Sequence, residues 1–470
     1  MSDEERPTNG HESVQLAVAE LPVAEVSRVS SPDSSLVYVA YPSSLTLRSA
    51  NAVQTFSTLR ELRALDPDVE ILIPRWAWRE SVFAQVSARH LLRLPFNVLA
   101  HLWRTTAWSY LERSWFAWRA ALWLARRRGH GGRRVIYVRD AVCAAWFGAG
   151  LARLAGTRLI YECHALEDWN PSRLRHPLAR PLVRLIDSRA IRGADQVVAL
   201  TSAFRAWLDR AGLKPLARTA TIPDAYDDTR FRPRDRAVAR KALGVPDTAF
   251  VVTYAGLTWM YRGLDGLVRA FAALDGGDMG KTLLLVGGRE SERATIAAQA
   301  HELGLGDAIR LPGQLAQEAA LDYLAAADAL VLPGVINGIN ASPLKLFEYA
   351  AMARPIVAPD APAVREILGG DAYYFSTGDE AGLRVALTVI QQQPAEAAQR
   401  AERARARVEP FTYRARAATI RALATEVGED GPPGSPMLGG GLIPAPGLVA
   451  RHRADPSHSP QHWGAGGAKS

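Results

Sequence analysis

Cysteine is nearly absent from the 470-residue chain: Cys143 and Cys163 are its two thiols. Two thiols cannot build a disulfide framework or a four-thiolate zinc site, and they fit a reducing compartment. The opening MSDEERPTNGHE has no apolar signal core, and no apolar run is long enough to span a bilayer. A soluble, cytoplasmic chain is the expectation. No Asp-x-Asp pair sits in a loop that would demand a divalent ion, because Asp66-Pro-Asp68 precedes a strand-like run and reads as a turn. No carboxylate stands out as a covalent nucleophile, and no repeat of solenoid length is present.

What is present divides unevenly. Hydrophobic residues make up 48% and charged residues 22%, which fits a globular protein. The first 35 residues carry seven acids and two arginines and read as a disordered tail. Residues 75–134 contain no lysine but twelve arginines against two acids, together with seven of the twelve tryptophans. Within them Trp108, Leu111, Trp115, Trp118 and Leu122 fall at helical spacing as one apolar stripe. Such a stripe packs onto its own domain or docks on an anionic membrane surface, and both readings stay open. A nucleic-acid partner is disfavoured, since no recognition motif accompanies the basic residues.

Short apolar runs begin at Leu36, Val69, Arg133, Arg158 and Gln196, with helical segments between them. After Pro233 the pattern restarts with runs at Ala249, Thr282, Ile309, Ala329 and Pro355. Strands alternating with helices predict an α/β chain of two doubly wound, parallel-sheet domains facing a cleft. The expected boundaries are a tail at 1–34, a first domain at 35–225 with an Arg/Trp-rich insertion at 75–134, and a second domain at 226–395. Closing helices follow at 396–425, then a disordered Gly/Pro/Ser-rich tail at 426–470.

The segment Asn337–Ala358 is the most telling. Ser342 reads as an N-cap and Pro343 as the first helical residue. Lys345 in the first turn opposes the helix dipole unless an anion sits there, most simply a phosphate. Glu348, about one turn on, is placed to accept ribose hydroxyls. An ordinary surface helix with a snorkelling lysine explains the spacing equally well.

Four ordered blocks carry a resemblance: Tyr-Glu162-Cys-His164; Ile222-Pro-Asp-Ala-Tyr-Asp-Asp-Thr-Arg-Phe231; Tyr254-Ala-Gly-Leu with Tyr-Arg262-Gly-Leu-Asp265; and Ala327-Asp328 to Leu332-Pro333 leading into Ser342-Pro-Leu-Lys-Leu-Phe-Glu348-Tyr. Over roughly residues 35–425 the chain resembles glycosyltransferase family 4, retaining nucleotide-sugar enzymes of the GT-B fold with two Rossmann-like domains. The resemblance implies an acceptor domain first and a donor domain second. It implies catalytic roles for His164, Arg262, Lys345 and Glu348, and donor binding by Asn340, Ala341, Ser342, Leu344 and Gly256. Glu348 matches the ribose-binding acid of the family's paired-glutamate motif, and the other acid is replaced by Asn340. Arg262 takes the place of a lysine, and the family's second cation would fall at Leu257, which is uncharged; that Lys345 supplies the second charge is an inference from this sequence and not from the family pattern. The loop Tyr41–Thr46 lacks the glycines common there. Asp224 replaces a frequent asparagine and reads as a hinge or cap. Glu366 reads as structural, and Arg289 and Glu290 as exposed loop charges.

The implied partners are a UDP- or GDP-linked sugar, a saccharide or lipid-linked acceptor, and a peripheral membrane surface on the inner face of the plasma membrane. Neither cofactor nor metal is expected. Two alternatives belong to other classes: a non-catalytic membrane scaffold and a nucleotide-sugar epimerase.

Overall fold

Seven strands form the first sheet: β1 (Ser34–Val39), β2 (Glu70–Arg75), β3 (Arg89–Leu92), β4 (Arg133–Val138), β5 (Thr157–Cys163), β6 (Gln196–Ala199) and β7 (Thr219–Thr221). Six more form the second: β8 (Phe250–Gly256), β9 (Lys281–Gly287), β10 (Ile309–Gly313), β11 (Ala329–Val331), β12 (Ile356–Pro359) and β13 (Tyr373–Phe375). The structure is a computed structural model, and it describes residues 34–45, 47, 49–75, 81–92, 106–127, 133–151, 157–169, 179–256, 262–275, 280–334, 339 and 342–429.

All pairings between these strands are parallel, in the orders β3-β2-β1-β4-β5-β6-β7 and β10-β9-β8-β11-β12-β13. The expected pair of doubly wound α/β units is therefore present. Central strands such as β8 are buried along their whole length, as a sheet covered on both faces requires. Each sheet reverses its order once, between β1 and β4 and between β8 and β11. Crevices open at the carboxyl ends of strands at such points.

Three strands escaped the sequence reading: β3, β7 and β13. All lie at sheet edges and are three or four residues long. Too short to show a period, they are specified by the neighbour they pair with.

Helix Thr106–Arg126 does pack onto its own domain, but by a face other than the Trp/Leu stripe. Its buried side is Glu112, Arg113, Phe116, Ala117, Ala120 and Leu124. The small alanines let the helix approach the first sheet closely, while Leu111 and Trp118 stay about half exposed.

The last described helix, Tyr413–Glu429, does not stay with the second sheet. It crosses back to pack against helix Ala50–Leu65 and strands β1 and β4. Its Ala417, Ile420, Leu423, Ala424 and Val427 share a core with Leu36, Tyr38, Leu59, Leu62, Val135 and Tyr137.

Candidate active site

The switch point of the second sheet is flanked by two loops that approach closely. After β8 the chain reaches Arg262 and Gly263, and after β11 it passes Pro333 and Gly334. A Cβ on Gly334 would lie 3.0 Å from the Arg262 carbonyl oxygen. Gly263 has φ 73°, and its own Cβ would lie 3.1 Å from the Pro333 oxygen. Glycine at both positions permits this contact, which holds Arg262 beside the segment leading to helix Leu344–Ala351.

That helix starts one residue later than the sequence suggests. Pro343, not Ser342, is the N-cap, and no side chain caps it. Ser342 is buried, and its Oγ accepts the N–H of Asp224 from the crossover between domains at 3.2 Å. A proline cap offers no side-chain acceptor to the first N–H groups of the helix, Leu344 and Lys345 among them. Leu346, Phe347, Tyr349 and Ala350 form the buried face, and the Tyr349 hydroxyl accepts the Ala255 N–H at 2.9 Å, bracing the helix against β8. Lys345 and Glu348, three residues apart, share the other face.

Burial pushes the Lys345 ammonium below the usual lysine range, Glu348 opposes that shift, and Arg262 reinforces it. Burial likewise raises the Glu348 carboxyl, against the pull of Lys345. Arg262 is therefore felt by Lys345, and no ion pair compensates either cation among the described residues. Two cations and a helix N-terminus thus converge where a diphosphate would be stabilised. Gly256 ends β8 in a buried position. Asn340, Ala341 and Leu257 lie outside the described residues.

In the first domain, His164 follows the last residue of β5, at the carboxyl end where the sequence reading puts it. The ring nitrogen Nε2 lies 2.8 Å from Arg139 Nε and 2.5 Å from Glu162 Oε1. These contacts compete for one nitrogen. Nε2 of the neutral ring accepts from Arg139 in one tautomer and donates to Glu162 in the other. Arg139 Nε is also 3.1 Å from Glu162 Oε1 and bridges the two acceptors. Burial first, then Arg139, lowers His164 to about 4, so the imidazole is neutral near pH 7.

Glu162 is the centre of this cluster, and it had no assigned role in the sequence reading. It is fully buried, receives the Tyr137 hydroxyl, and pairs with Arg416 at 2.7 Å. Burial would raise its carboxyl, but Arg416 and Arg139 hold it well below the usual carboxylate range. Arg139 also donates to Thr55 and Gln54 of helix Ala50–Leu65. Arg416, on the crossing helix, donates to the carbonyl oxygens of Ile222 (2.9 Å) and Pro223. A carboxylate within the apolar residues 159–163 of β5 was the available signal for Glu162. Nothing local marks Arg416 as its partner.

Asp224 links the two halves. Burial raises its carboxyl to about 7; Arg416 and Arg139 pull it down, while Glu162 and Glu348 push it up. Its Oδ1 is buried without a hydrogen-bond partner among the described residues. Glu366 also joins the domains: both carboxylate oxygens accept the Ser202 N–H, at 2.8 and 2.9 Å, at the start of helix Ser202–Arg210. Arg289 and Glu290 are exposed beyond β9, as read from sequence.

A second network shapes the turn after His164. Arg113, inward from helix Thr106–Arg126, pairs with Asp140 at 2.6 Å and Glu167 at 3.0 Å. Tyr110 donates to the other Glu167 oxygen at 2.8 Å. Asp187 accepts the N–H groups of Glu167 and Asp168, both at 3.0 Å. No group of three His, Cys, Asp or Glu side chains among the described residues is arranged to hold a metal ion.

Comparison with known proteins follows this geometry. Residues 52–230 match the family model described as Glycosyltransferase Family 4, and residues 249–392 match Glycosyl transferases group 1. The D-inositol 3-phosphate glycosyltransferase of Saccharomonospora viridis is 31% identical over 214 residues, which cover 43% of this chain and 49% of that protein. Its counterpart from Kineococcus radiotolerans is 29% identical over 258 residues, or 50% and 58% of the two chains. The chain thus spans about half the length of the curated relatives it matches. Among solved structures, the sucrose-phosphate synthase of Thermosynechococcus elongatus aligns with TM-score 0.65 at 19% identity, covering 84% of this chain and 99% of that one. The Anabaena protein HepE in complex with UDP-glucose aligns at 0.62 and 16%, covering 83% and 99%. At such identities these structures speak for the GT-B fold alone.

Proposed function

The chain belongs to glycosyltransferase family 4, and from that premise we propose that it moves a hexosyl group from a UDP- or GDP-linked sugar to a hydroxyl of a saccharide or lipid-linked acceptor, with retention and without a metal. One observation carries the reading: Lys345, at the start of helix Leu344–Ala351 with its proline cap, lies within the field of Arg262, and neither cation has an ion pair among the described residues. Glycosyl transfer requires a stabilised leaving diphosphate, and cations fixed beforehand provide that without reorganisation. Glu348 accepts ribose hydroxyls one turn behind. His164, held neutral beside Arg139 and Glu162, lies on the side of the cleft that faces the sugar or acceptor. No carboxylate serves as nucleophile in this reading; the departing phosphate takes the acceptor's proton on the same face. Closure of the two domains around the donor excludes water.

Transfer is tested by mass spectrometry of products from a panel of nucleotide sugars with saccharide and lipid-linked acceptors. Product with the acceptor's mass plus one hexose supports the reading. Donor isomerised without acceptor would instead identify an epimerase. A folded protein that binds no UDP or GDP by calorimetry would be a scaffold.

A further inference from the structure

We infer that the outer faces of helices Thr106–Arg126, Ala141–Trp146 and Ala179–Gly193 form a surface that docks on an anionic lipid bilayer. The three helices pack side by side over one face of the first sheet. Ten large apolar side chains are exposed among the described residues, and five of them are on these helices: Leu111, Trp118, Trp146, Leu182 and Leu185. Single exposed apolar residues are ordinary, but this concentration on one helical layer is not. Each is about half exposed, with Leu182 reaching 55%.

Charge on the same helices is one-sided. Arg126, Arg180, Arg184, Arg189 and Arg192 are exposed and Arg119 is half-buried, whereas the two acids, Glu112 and Asp187, are buried. Asp168 at the rim pairs with Arg180 and Arg184 and leaves both more than half exposed. Exposed apolar side chains and arginines on one helical layer match the boundary between acyl chains and anionic headgroups. The alternatives fit less well. Exposed leucines offer nothing to a phosphodiester backbone. A second copy related by two-fold symmetry would set arginine against arginine.

The placement relates this surface to the site. Tyr110 and Arg113, on the inner side of the first of these helices, hold Glu167, and Asp187 of the third caps the same turn. The docking layer and the turn after His164 are therefore one body, with Leu111, Leu182 and Leu185 at its site-facing end. Naming the acceptor as lipid-linked rests on the proposed transfer reaction. Docking itself does not.

The test is flotation of the full chain with vesicles of phosphatidylcholine alone or mixed equally with phosphatidylglycerol. Binding to the anionic vesicles only is expected, with weakening as salt rises. Trp118→Asp and, on a separate helix, Leu182→Asp/Leu185→Asp should each weaken binding about tenfold or more. Arg184→Gln/Arg189→Gln should do so on anionic vesicles, with circular dichroism verifying folding in every case. Transfer to a water-soluble acceptor should persist in Trp118→Asp, which separates loss of docking from loss of chemistry. Absence of vesicle binding by the folded wild type, or binding indifferent to all these changes, would overturn the inference. So would lipid-free self-association, or duplex RNA binding tighter than vesicle binding, abolished by the same substitutions.

Discussion

In the proposed reaction, stabilisation of the leaving diphosphate falls to Arg262 and Lys345. Arg262→Ala should lower kcat by about 10²–10³, the usual effect of removing one preorganised charge stabiliser, with little change in thermal stability. Steady-state transfer kinetics check this. Asp224 governs a pH effect. Its folded carboxyl titrates at about 7 against an ordinary 3.8, so between those values the folded state holds a proton that the unfolded chain has lost. Its contribution to stability therefore falls as pH rises across that window and is level above it. His164, depressed by burial, has the opposite slope, so the diagnostic is a difference. Asp224→Asn should gain stability relative to wild type as pH rises from about 4 to about 7, read from urea midpoints. The facing charges are Arg416, Arg139, Glu162 and Glu348. Lys345 and Glu348 were legible because their relation is local, three residues along one helix. The use of Ser342 was not, because its partner is the backbone of Asp224 from a distant segment.

Among elements, long central strands were readable as apolar runs, and the short edge strands β3, β7 and β13 were not. Helix Thr106–Arg126 shows another limit. Its periodicity identifies an amphipathic helix but not which face turns inward. Rotation is fixed by Arg113, whose partners Asp140 and Glu167 come from the ends of other elements. Helix packing supplies a further test where Gly148 meets Gly193. A Cβ on Gly193 would lie 2.5 Å from the Gly148 Cα, backbone against backbone. Gly193→Ala must push helix Ala179–Gly193 outward and should cost about 1–3 kcal/mol of stability, measured by chemical denaturation. The same shift would loosen the Asp187 cap on the turn beyond His164.

Across the whole molecule, charged side chains tie together segments that lie far apart in the chain. Arg416 pairs with Glu162, and Glu366 caps helix Ser202–Arg210. Arg416→Met leaves a buried carboxylate short of a partner and should destabilise by about 3 kcal/mol or more, while adding Glu162→Gln should recover part of that loss. A merely packing role for Arg416 would give additive losses in this cycle. If Arg416 also positions His164 through Glu162, the single variant shifts the pH profile of kcat, and Arg416→Lys partly restores it. The two-domain plan was readable from strand and helix alternation. The return of the last helix to the first sheet was not, because its amphipathic pattern is satisfied equally by either core.

That return path has a consequence for biosynthesis. A ribosome releases the first sheet long before Arg416 emerges, so Glu162 spends that interval without one of its two guanidinium partners. Until the second domain has been made and the helix swings back, the first domain lacks both Arg416 and the apolar face of Ala417, Ile420, Leu423, Ala424 and Val427. Synthesis therefore proceeds outward and then home, and the surroundings of His164 are completed only after the second sheet already exists.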